Sequence, residues 1–380
     1  MTDAERLCDL NTPALVLDEA RMRRNIARLN ARMERLGVTL RPHLKTAKSV
    51  AVARQQIPGE TGPVTVSTLK EAEVFAAAGV RDILYAVGIT PGKLARVQAI
   101  RAAGCDLAVV LDSEAQAEAV IAASRASGAD IPALIEIDSD GCRSGLDPSD
   151  PRIITLGRAL AGAGLLRGVM THAGDSYGAL GEDALAAFAA QEQAAAVTAA
   201  EALRRAGLAC PVVSVGSTPT AHAARDLTGV TEVRAGVYVF FDLVMAGIGV
   251  CAVEDIALSV LTTVIGHQED KGWALVDAGW MALSADRGTA RQARDQGYGL
   301  VCDIEGRPLE DLIVAAANQE HGIVARRPGD TRPLPHLPVG TRLRILPNHA
   351  CATGAQHDAY AVIPAEPGQG LMDWPRFRGW

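Results

Sequence analysis

The chain has 380 residues, which at roughly 150 residues per domain favours two or three domains, or one large barrel with a smaller companion. Hydrophobic residues make up 48% and charged residues 21%, a globular composition that argues against disorder. The net charge of −7 argues against nucleic acid or an anionic membrane as the partner, and no apolar run is long enough to span a membrane. No secretory signal is visible and the seven cysteines show no CxxC spacing, so we expect a cytoplasmic protein with reduced thiols.

From Thr12 to about Asp242, apolar runs rich in Val and Ile alternate with helix-like stretches that end at glycines such as Gly79 and Gly207. The runs predict eight buried strands, at 38–45, 64–69, 83–88, 106–113, 133–140, 166–174, 212–220 and 231–242. Eight strands over about 230 residues favour a (β/α)8 barrel. A doubly wound sheet is the alternative, but no GxGxxG follows the first strand.

After Asp255 the helical stretches give way to short strand-like runs separated by turn residues. These runs lie at 255–266, 272–280, 312–319, 340–351 and 359–364. We therefore predict a barrel over residues 18–250, followed by a mostly antiparallel β domain over 251–380. The lone strand in "NTPALVLD" before the barrel fits either domain by its pattern.

Working residues of a (β/α)8 barrel sit at the C-terminal ends of its strands. In "RPHLKTAKS" the residues Arg41, His43 and Lys45 alternate, which predicts that they share one face of the first barrel strand. A lysine that is partly desolvated and flanked by cations loses its proton more easily, so Lys45 is a candidate for Schiff-base chemistry. The alternative is a charged strand edge that faces outwards.

Other barrel strand ends are also polar. Arg143, in a glycine-bounded turn, could bind a phosphate, a carboxylate or a ring nitrogen, or pair with a neighbouring aspartate. His172 and Tyr177 follow the sixth strand, although a single histidine is more often a core residue. Small residues follow strands 7 and 8, where this fold usually binds phosphate, and either loop alone could be an ordinary turn. The phosphate candidates are Gly216, Ser217, Thr218, Gly236 and Val237.

In the β domain, His349 and Cys351 stand two residues apart in "LPNHACATG". On an extended segment such residues face the same way, so imidazole and thiolate could bind one metal and leave positions open for substrate. The alternative is a small buried cysteine beside a surface histidine. A second polar cluster, "NQEHG", contains Glu320 and His321.

An amine, a phosphate site and an arginine near strand 5 together describe a pyridoxal phosphate pocket. At this point the chain resembles the fold type III pyridoxal phosphate enzymes, in the family of D-serine dehydratases and D-threonine aldolases, which have an alanine racemase-like barrel. The resemblance covers nearly the whole length. It is carried, in order, by "NTPALVLDEARMRRNI", "LRPHLKTAKS", "STLKEAEVFAAAGVRDILYA", "IEIDSDGCRSG", "HAGDSY", "VSVGSTPT", "TEVRAGVYVFFD", "ANQEHGI" and "LPNHACATG".

The resemblance implies a role for each matching position. Lys45 would hold the cofactor and act as catalytic base, and Arg143 would face the pyridine nitrogen. His172 and Tyr177 would lie along the ring. The phosphate would be bound by Gly216, Ser217, Thr218, Gly236 and Val237, with Tyr238 as a further contact. His349 and Cys351 would bind a divalent metal, which the sequence does not identify among Zn, Mn, Co and Mg.

The resemblance also implies the assembly and the reaction. The family pattern places the N-terminal strand, residues 1–17, in the β domain, and predicts a homodimer with each site at the subunit interface. Dehydratases of the family carry His-x-Cys where the aldolases carry His-x-Asp, so Cys351 favours loss of water from a D-3-hydroxy amino acid. Arg287, Arg291 and His321 are candidates for binding a substrate such as 3-hydroxyaspartate, and D-serine is a further expected substrate. The alternatives are aldol cleavage, and less favoured, a noncatalytic cofactor carrier or a racemase.

Overall fold

The computed structural model describes residues 3–57, 59 and 61–380. Over this range the chain forms two compact units. The barrel unit consists of Arg28–Gly236 with Arg378–Trp380, and the β unit consists of the residues up to Ala27 with Val237–Phe377. The assignment of 18–250 and 251–380 as separate domains stays a prediction.

The chain's first strand, β1 (Ala14–Asp18), lies in the β unit, and the next eight strands of the described chain form the parallel sheet of the barrel unit. These are β2 (Thr39–Pro42), β3 (Val64–Val66), β4 (Asp82–Gly88), β5 (Asp106–Leu111), β6 (Ala133–Ile137), β7 (Leu166–Thr171), β8 (Val212–Val215) and β9 (Glu232–Ala235). Neighbours in the sheet follow chain order from β3 to β9, and β9 then pairs with β2. Every residue of β6 and β9 is buried, as strands covered on both faces require.

The barrel is nearly closed between β2 and β3. A single bridge pairs His43 with Thr65, and the Leu44 amide donates to the Thr65 carbonyl at 2.9 Å. Arg41 reinforces the junction by donating to the Val64 carbonyl at 3.2 Å. The predicted barrel is thus confirmed.

Twelve helices are present in the described chain. They are α1 (Asp3–Cys8), α2 (Glu19–Arg35), α3 (Val50–Gln56), α4 (Leu69–Ala77), α5 (Leu94–Ala102), α6 (Glu114–Ser127), α7 (Arg152–Gly162), α8 (Glu182–Arg205), α9 (Thr218–Ala223), α10 (Leu243–Gly247), α11 (Trp280–Leu283) and α12 (Ala350–Gly354). Their boundaries follow local chemistry. Ser113 and Gln116 form a capping box at the start of α6, and Gly128 ends that helix in the left-handed region, with φ of 66°.

The β unit is built on a sheet that, in the described chain, has nine strands. Besides β1 they are β10 (Leu258–Gln268), β11 (Trp273–Val276), β12 (Leu300–Cys302), β13 (Pro308–Ala317), β14 (Gly322–Arg326), β15 (Arg342–Leu346), β16 (Ala359–Ile363) and β17 (Met372–Pro375). Strand β1 lies between β10 and β16, and its pairing with β16 is parallel while the other pairs are antiparallel. The predicted β fold is therefore confirmed, with one parallel pair.

Among the described residues, no helix combines the length and apolar character needed to cross a lipid bilayer.

Candidate functional site

Lys45 lies in the turn that follows β2, where it is exposed. The predicted extended position is wrong because the strand ends at Pro42 and the chain then turns, with the Lys48 amide donating to the Leu44 carbonyl at 3.0 Å. The His43 imidazole contacts this turn. Its Nδ1 accepts from the Lys45 amide at 3.4 Å, and its Nε2 lies 3.4 Å from the Ser67 hydroxyl.

Arg41 forms ion pairs with two carboxylates. Its Nε lies 2.8 Å from Glu232 Oε2 and its Nη1 lies 2.7 Å from Asp82 Oδ1. Arg41 thus lies within β2 as a buried, paired charge, while His43 and Lys45 follow the end of that strand. Two carboxylates compensate this buried guanidinium, as burial of a charge requires.

His172 follows β7 and is held by its ring nitrogen. Its Nδ1 lies 2.9 Å from the Gly216 carbonyl oxygen, so Nδ1 carries the hydrogen and Nε2 presents its lone pair. The Tyr177 ring lies 6.2 Å away, centroid to centroid, inclined by 41°. Burial and the nearby charge of Arg143 lower the pKa of His172 to about 3, so the imidazole is neutral at physiological pH.

Three cations surround the two histidines. Burial and the charges of Lys45 and Arg234 lower the pKa of His43 well below its ordinary value, and both cations also act on His172. Arg234 is offset by buried glutamates, whereas Lys45 and Arg143 are exposed cations at this end of the barrel that a ligand could contact. Such a region fits an anionic ligand such as a phosphate ester.

The loop after β8 approaches its neighbours closely. Gly216 has φ of 128°, and a Cβ there would lie 2.2 Å from the Arg234 carbonyl oxygen, so only glycine fits. Ser217 caps α9: its hydroxyl accepts from the Thr220 amide at 3.2 Å and lies 3.0 Å from the Ser176 hydroxyl. The Ser217 amide itself donates to the Thr220 hydroxyl at 3.0 Å.

Gly236 follows β9, and a Cβ there would lie 3.1 Å from the Thr46 hydroxyl, so this backbone approaches the lysine turn closely. Val237 and Tyr238, by contrast, belong to the β unit and begin its second segment, in a short 3-10 helix at Val237–Val239 where both are buried. The barrel unit thus contains four of the six residues expected around a phosphate.

Arg143 is exposed in the turn after β6. The neighbouring carboxylates are used by backbone amides, because Asp138 Oδ1 accepts from the Asp140 and Gly141 amides at 3.1 and 2.7 Å. Asp140 Oδ2 accepts from the Asp175 amide at 2.9 Å, which joins this turn to the segment after His172. The aspartates therefore shape the turn that presents Arg143.

In the β unit, His349 and Cys351 lie at the start of α12, with His349 at the N-cap position. The predicted extended segment is wrong, yet the two side chains meet in a hydrogen bond. His349 Nδ1 lies 2.7 Å from Asp286 Oδ2. Burial opposes protonation of His349, but Asp286 and Cys351 outweigh it and raise its pKa to about 11. An imidazole and a thiol side by side form a donor set that fits a transition-metal ion.

The three candidate substrate residues are also in the β unit. Arg287 Nη2 lies 2.6 Å from Asp295 Oδ2, and its guanidinium lies 5.1 Å from the centre of the Tyr298 ring. Arg291 and His321 are exposed, and His321 lies in the turn between β13 and β14. Their roles stay predictions.

Three polar residues of these regions were not predicted. Arg234 lies in β9 and is 3% exposed, and Glu192 lies in α8 and is 2% exposed. The alternation of Glu232 and Arg234 in "TEVRAG" was a signal for an inward-facing charge. Asp286, far from His349 in sequence, gave no local signal.

Comparison with known proteins agrees with this description. A sequence model of the alanine racemase N-terminal domain matches residues 17–244, and a model of a putative serine dehydratase domain matches residues 257–363. D-threo-3-hydroxyaspartate dehydratase of Delftia sp. (strain HT23) is 57% identical over 99% of this chain and 100% of its own length. The solved structure of that enzyme matches with a TM-score of 0.96, covering 99% of this chain and 100% of the other. A variant of it has been solved in a form described as metal-free.

Two further relatives are more distant. D-serine dehydratase of Dictyostelium discoideum is 28% identical, covering 93% of this chain and 94% of its own. D-threonine aldolase of an Arthrobacter species is 30% identical, covering 94% and 90%.

A barrel of this kind, with a lysine after its first strand and a β domain following it, defines the class of fold type III pyridoxal phosphate enzymes. The chain belongs to the family of that class which contains the D-serine dehydratases, D-threo-3-hydroxyaspartate dehydratase and the D-threonine aldolases.

Proposed function

We propose that this chain is a dehydratase, dependent on pyridoxal phosphate and a divalent metal, that removes water from D-3-hydroxy amino acids. The identity of 57% with the Delftia dehydratase over the full length of both chains carries the proposal. D-threo-3-hydroxyaspartate is the proposed main substrate and gives oxaloacetate and ammonia. D-serine, which would give pyruvate, is the proposed second substrate.

The barrel unit would hold the cofactor. Lys45 would bind it through its amine, Arg143 would face the ring nitrogen, and His172 with Tyr177 would lie along the ring. The phosphate would be bound by Gly216, Ser217, Thr218, Gly236, Val237 and Tyr238. The exposed cations Lys45 and Arg143, beside two neutral histidines, support an anionic cofactor here. When bound, pyridoxal phosphate withdraws negative charge from the substrate Cα.

Lys45 would then take the Cα proton at Nζ as general base. The turn that carries Lys45 is held by His43, whose Nδ1 accepts the Lys45 amide hydrogen. The neutral His172 ring, oriented by the Gly216 carbonyl, adds no charge that would compete with Arg143 for the cofactor ring.

His349 and Cys351 would hold the divalent metal, proposed as Zn, Mn, Co or Mg. When bound, this metal supplies a Lewis acid for departure of the 3-hydroxyl group. Asp286 accepts the Nδ1 hydrogen of His349 and so leaves Nε2 as the donor toward a metal. Arg287, Arg291 and His321 are the proposed contacts to the rest of the substrate.

We also propose a cytoplasmic homodimer in which the residues of each site come from both subunits. Coexpression of Lys45→Ala and His349→Ala chains tests this arrangement. Mixed dimers would contain one intact site, giving about a quarter of wild-type activity in a random mixture. If each site is built from one subunit, the mixture would be inactive.

Product analysis tests the reaction itself. D-threo-3-hydroxyaspartate, D-serine and D-threonine are supplied separately to the enzyme with cofactor and metal. Ammonia with oxaloacetate from the first is the expected result. Glycine and an aldehyde would instead identify an aldolase, and bound cofactor without turnover would favour a carrier or a racemase.

A further inference from the structure

Glu192 is a buried carboxylate for which neither the motifs nor the proposed chemistry gives a role. It lies within α8 and is 2% exposed. Its Oε1 accepts a hydrogen bond from the Ala173 amide at 2.8 Å. Ala173 directly follows His172, so this bond fixes the backbone that carries the imidazole.

The same carboxylate also reaches the neighbouring loop. It accepts hydrogen bonds from the Gly216 amide and from the Thr220 hydroxyl. Glu192 therefore joins the loop after β7 to the loop after β8 by three hydrogen bonds. The buried Arg234 lies close enough to offset its charge.

Two further contacts lock these loops together. His172 Nδ1 donates to the Gly216 carbonyl at 2.9 Å, and the Ser176 hydroxyl lies 3.0 Å from that of Ser217. The amide and carbonyl of Gly216 are thus both held, the first by Glu192 and the second by His172. Any shift of the Glu192 carboxylate moves both loops.

We propose that Glu192 is a positioning residue of the cofactor site, which fixes the His172 ring and the Gly216–Thr218 loop in the arrangement that binds pyridoxal phosphate. This inference rests on the proposed function. A carboxylate offers an acceptor oxygen to each of the two backbone amides, which can only donate, whereas a glutamine keeps one oxygen and presents an NH2 group in place of the other. An alanine would remove this acceptor from the amides of both Ala173 and Gly216, while the Thr220 hydroxyl would keep the Ser217 carbonyl at 3.3 Å.

Glu19 supplies a matched control. It is also a buried carboxylate, 4% exposed, and its Oε2 accepts from the Ala365 amide at 2.8 Å, but it belongs to the β unit. Glu192→Gln and Glu19→Gln thus make the same chemical change. A purely structural role of Glu192 would make the two variants behave alike.

The experiment titrates the cofactor-free protein with pyridoxal phosphate, follows the visible absorbance, and measures amide hydrogen exchange before cofactor is added. For Glu192→Gln we expect a Kd raised about tenfold or more and faster exchange at Ala173 and Gly216. Glu192→Asp, which keeps the charge, should fall between wild type and Glu192→Gln. Glu19→Gln should leave the Kd and both amides unchanged.

A wild-type Kd and unchanged exchange in Glu192→Gln would overturn the inference. If Glu192→Gln does not fold, Glu192→Asp decides by the same two measurements. If the wild-type protein itself binds no pyridoxal phosphate, the proposed function fails, and the exchange of the two amides still reports separately on Glu192.

Discussion

Lys45 is the single side chain for which we expect the largest effect on activity. Lys45 is one of only five lysines in the chain, and it stands at the start of the segment that joins β2 to α3. We expect Lys45→Ala to lose the absorbance band of the lysine-bound cofactor and to lower turnover by about a thousandfold or more, because in the proposed scheme the same amine would bind the cofactor and move the proton. Steady-state kinetics and absorbance spectra measure both effects. Lys271→Ala, in the β unit, is the control, and an active Lys45→Ala enzyme would refute the scheme.

In the β unit, Asp286 is the residue whose loss we expect to affect the proposed metal site, because it is hydrogen-bonded to His349. Since it fixes the His349 tautomer across 2.7 Å, Asp286→Asn should weaken metal binding about 10- to 100-fold. Calorimetric titration of the metal-stripped protein measures this affinity directly. Asp295→Asn, which removes the partner of Arg287, serves as the comparison. Equal affinities in the two variants would show that Asp286 does not orient the ligand.

Lys45, Arg143, His172, His349 and Cys351 could be proposed from the sequence because each lies in a short motif. The residues that support them could not be proposed in this way. Asp286 contacts His349 across 63 positions, and Glu192 contacts Ala173 across 19. Only the fold brings such pairs together, and no local pattern encodes them.

At the level of the elements, a substitution of Gly216 has two costs, one from its backbone conformation and one from a steric clash. Its φ of 128° disfavours any side chain, and an added Cβ would in addition lie 2.2 Å from the Arg234 carbonyl oxygen. Gly207 has φ of 77° with open space around it, so Gly207→Ala meets only the conformational cost. We expect Gly216→Ala to lower the free energy of unfolding by about 2 kcal/mol more than Gly207→Ala does. Urea unfolding of both variants measures the difference, and equal losses would mean that the loop relaxes freely.

The barrel strands were predicted well at their starts and poorly at their ends. The predicted run 212–220 contains β8 at Val212–Val215, and 166–174 contains β7 at Leu166–Thr171. The excess residues are the loops that carry Gly216 and His172. Apolar periodicity indicates where a strand begins, but conformation past its last pair depends on contacts with other segments.

The strands of the β unit were predicted less completely than those of the barrel. Its strands β12 (three residues), β14 (five) and β17 (four) were not predicted separately. The burial pattern of β17 shows the reason, since none of its residues is fully buried and its sequence "MDWP" lacks an apolar run. Such strands are specified by pairing with their neighbours more than by their own composition.

For the whole molecule, the two half-buried histidines of the barrel, His43 and His172, predict how stability depends on pH. The pKa of His172 is about 3 in the folded chain, against about 6.5 when unfolded, so only the unfolded chain binds this proton between those values. The stability is fully present above pH 6.5 and declines as the pH falls. His43 acts in the same direction.

The slope from each such histidine is at most about 1.4 kcal/mol per pH unit. His172→Gln should therefore flatten the fall in the free energy of unfolding between pH 6.5 and 5, a range above most carboxyl titrations. Urea unfolding of the cofactor-free protein at several pH values measures it. His336→Gln, at an exposed loop position, is the control, and an unchanged slope in His172→Gln would contradict the prediction.

The place of β1 in its sheet has a consequence for the newly made chain. Residues 14–17 pair with 258–261, so the ribosome must add some 240 residues before the first partner of β1 exists. At roughly 5 to 20 residues per second this takes about 12 to 48 seconds. Throughout that time Leu15, Val16 and Leu17, all buried in the finished protein, have no sheet to join. The long interval leaves this short apolar segment without its sheet partners for much of synthesis, whereas each of the strands β3 to β8 pairs with the next strand along the chain.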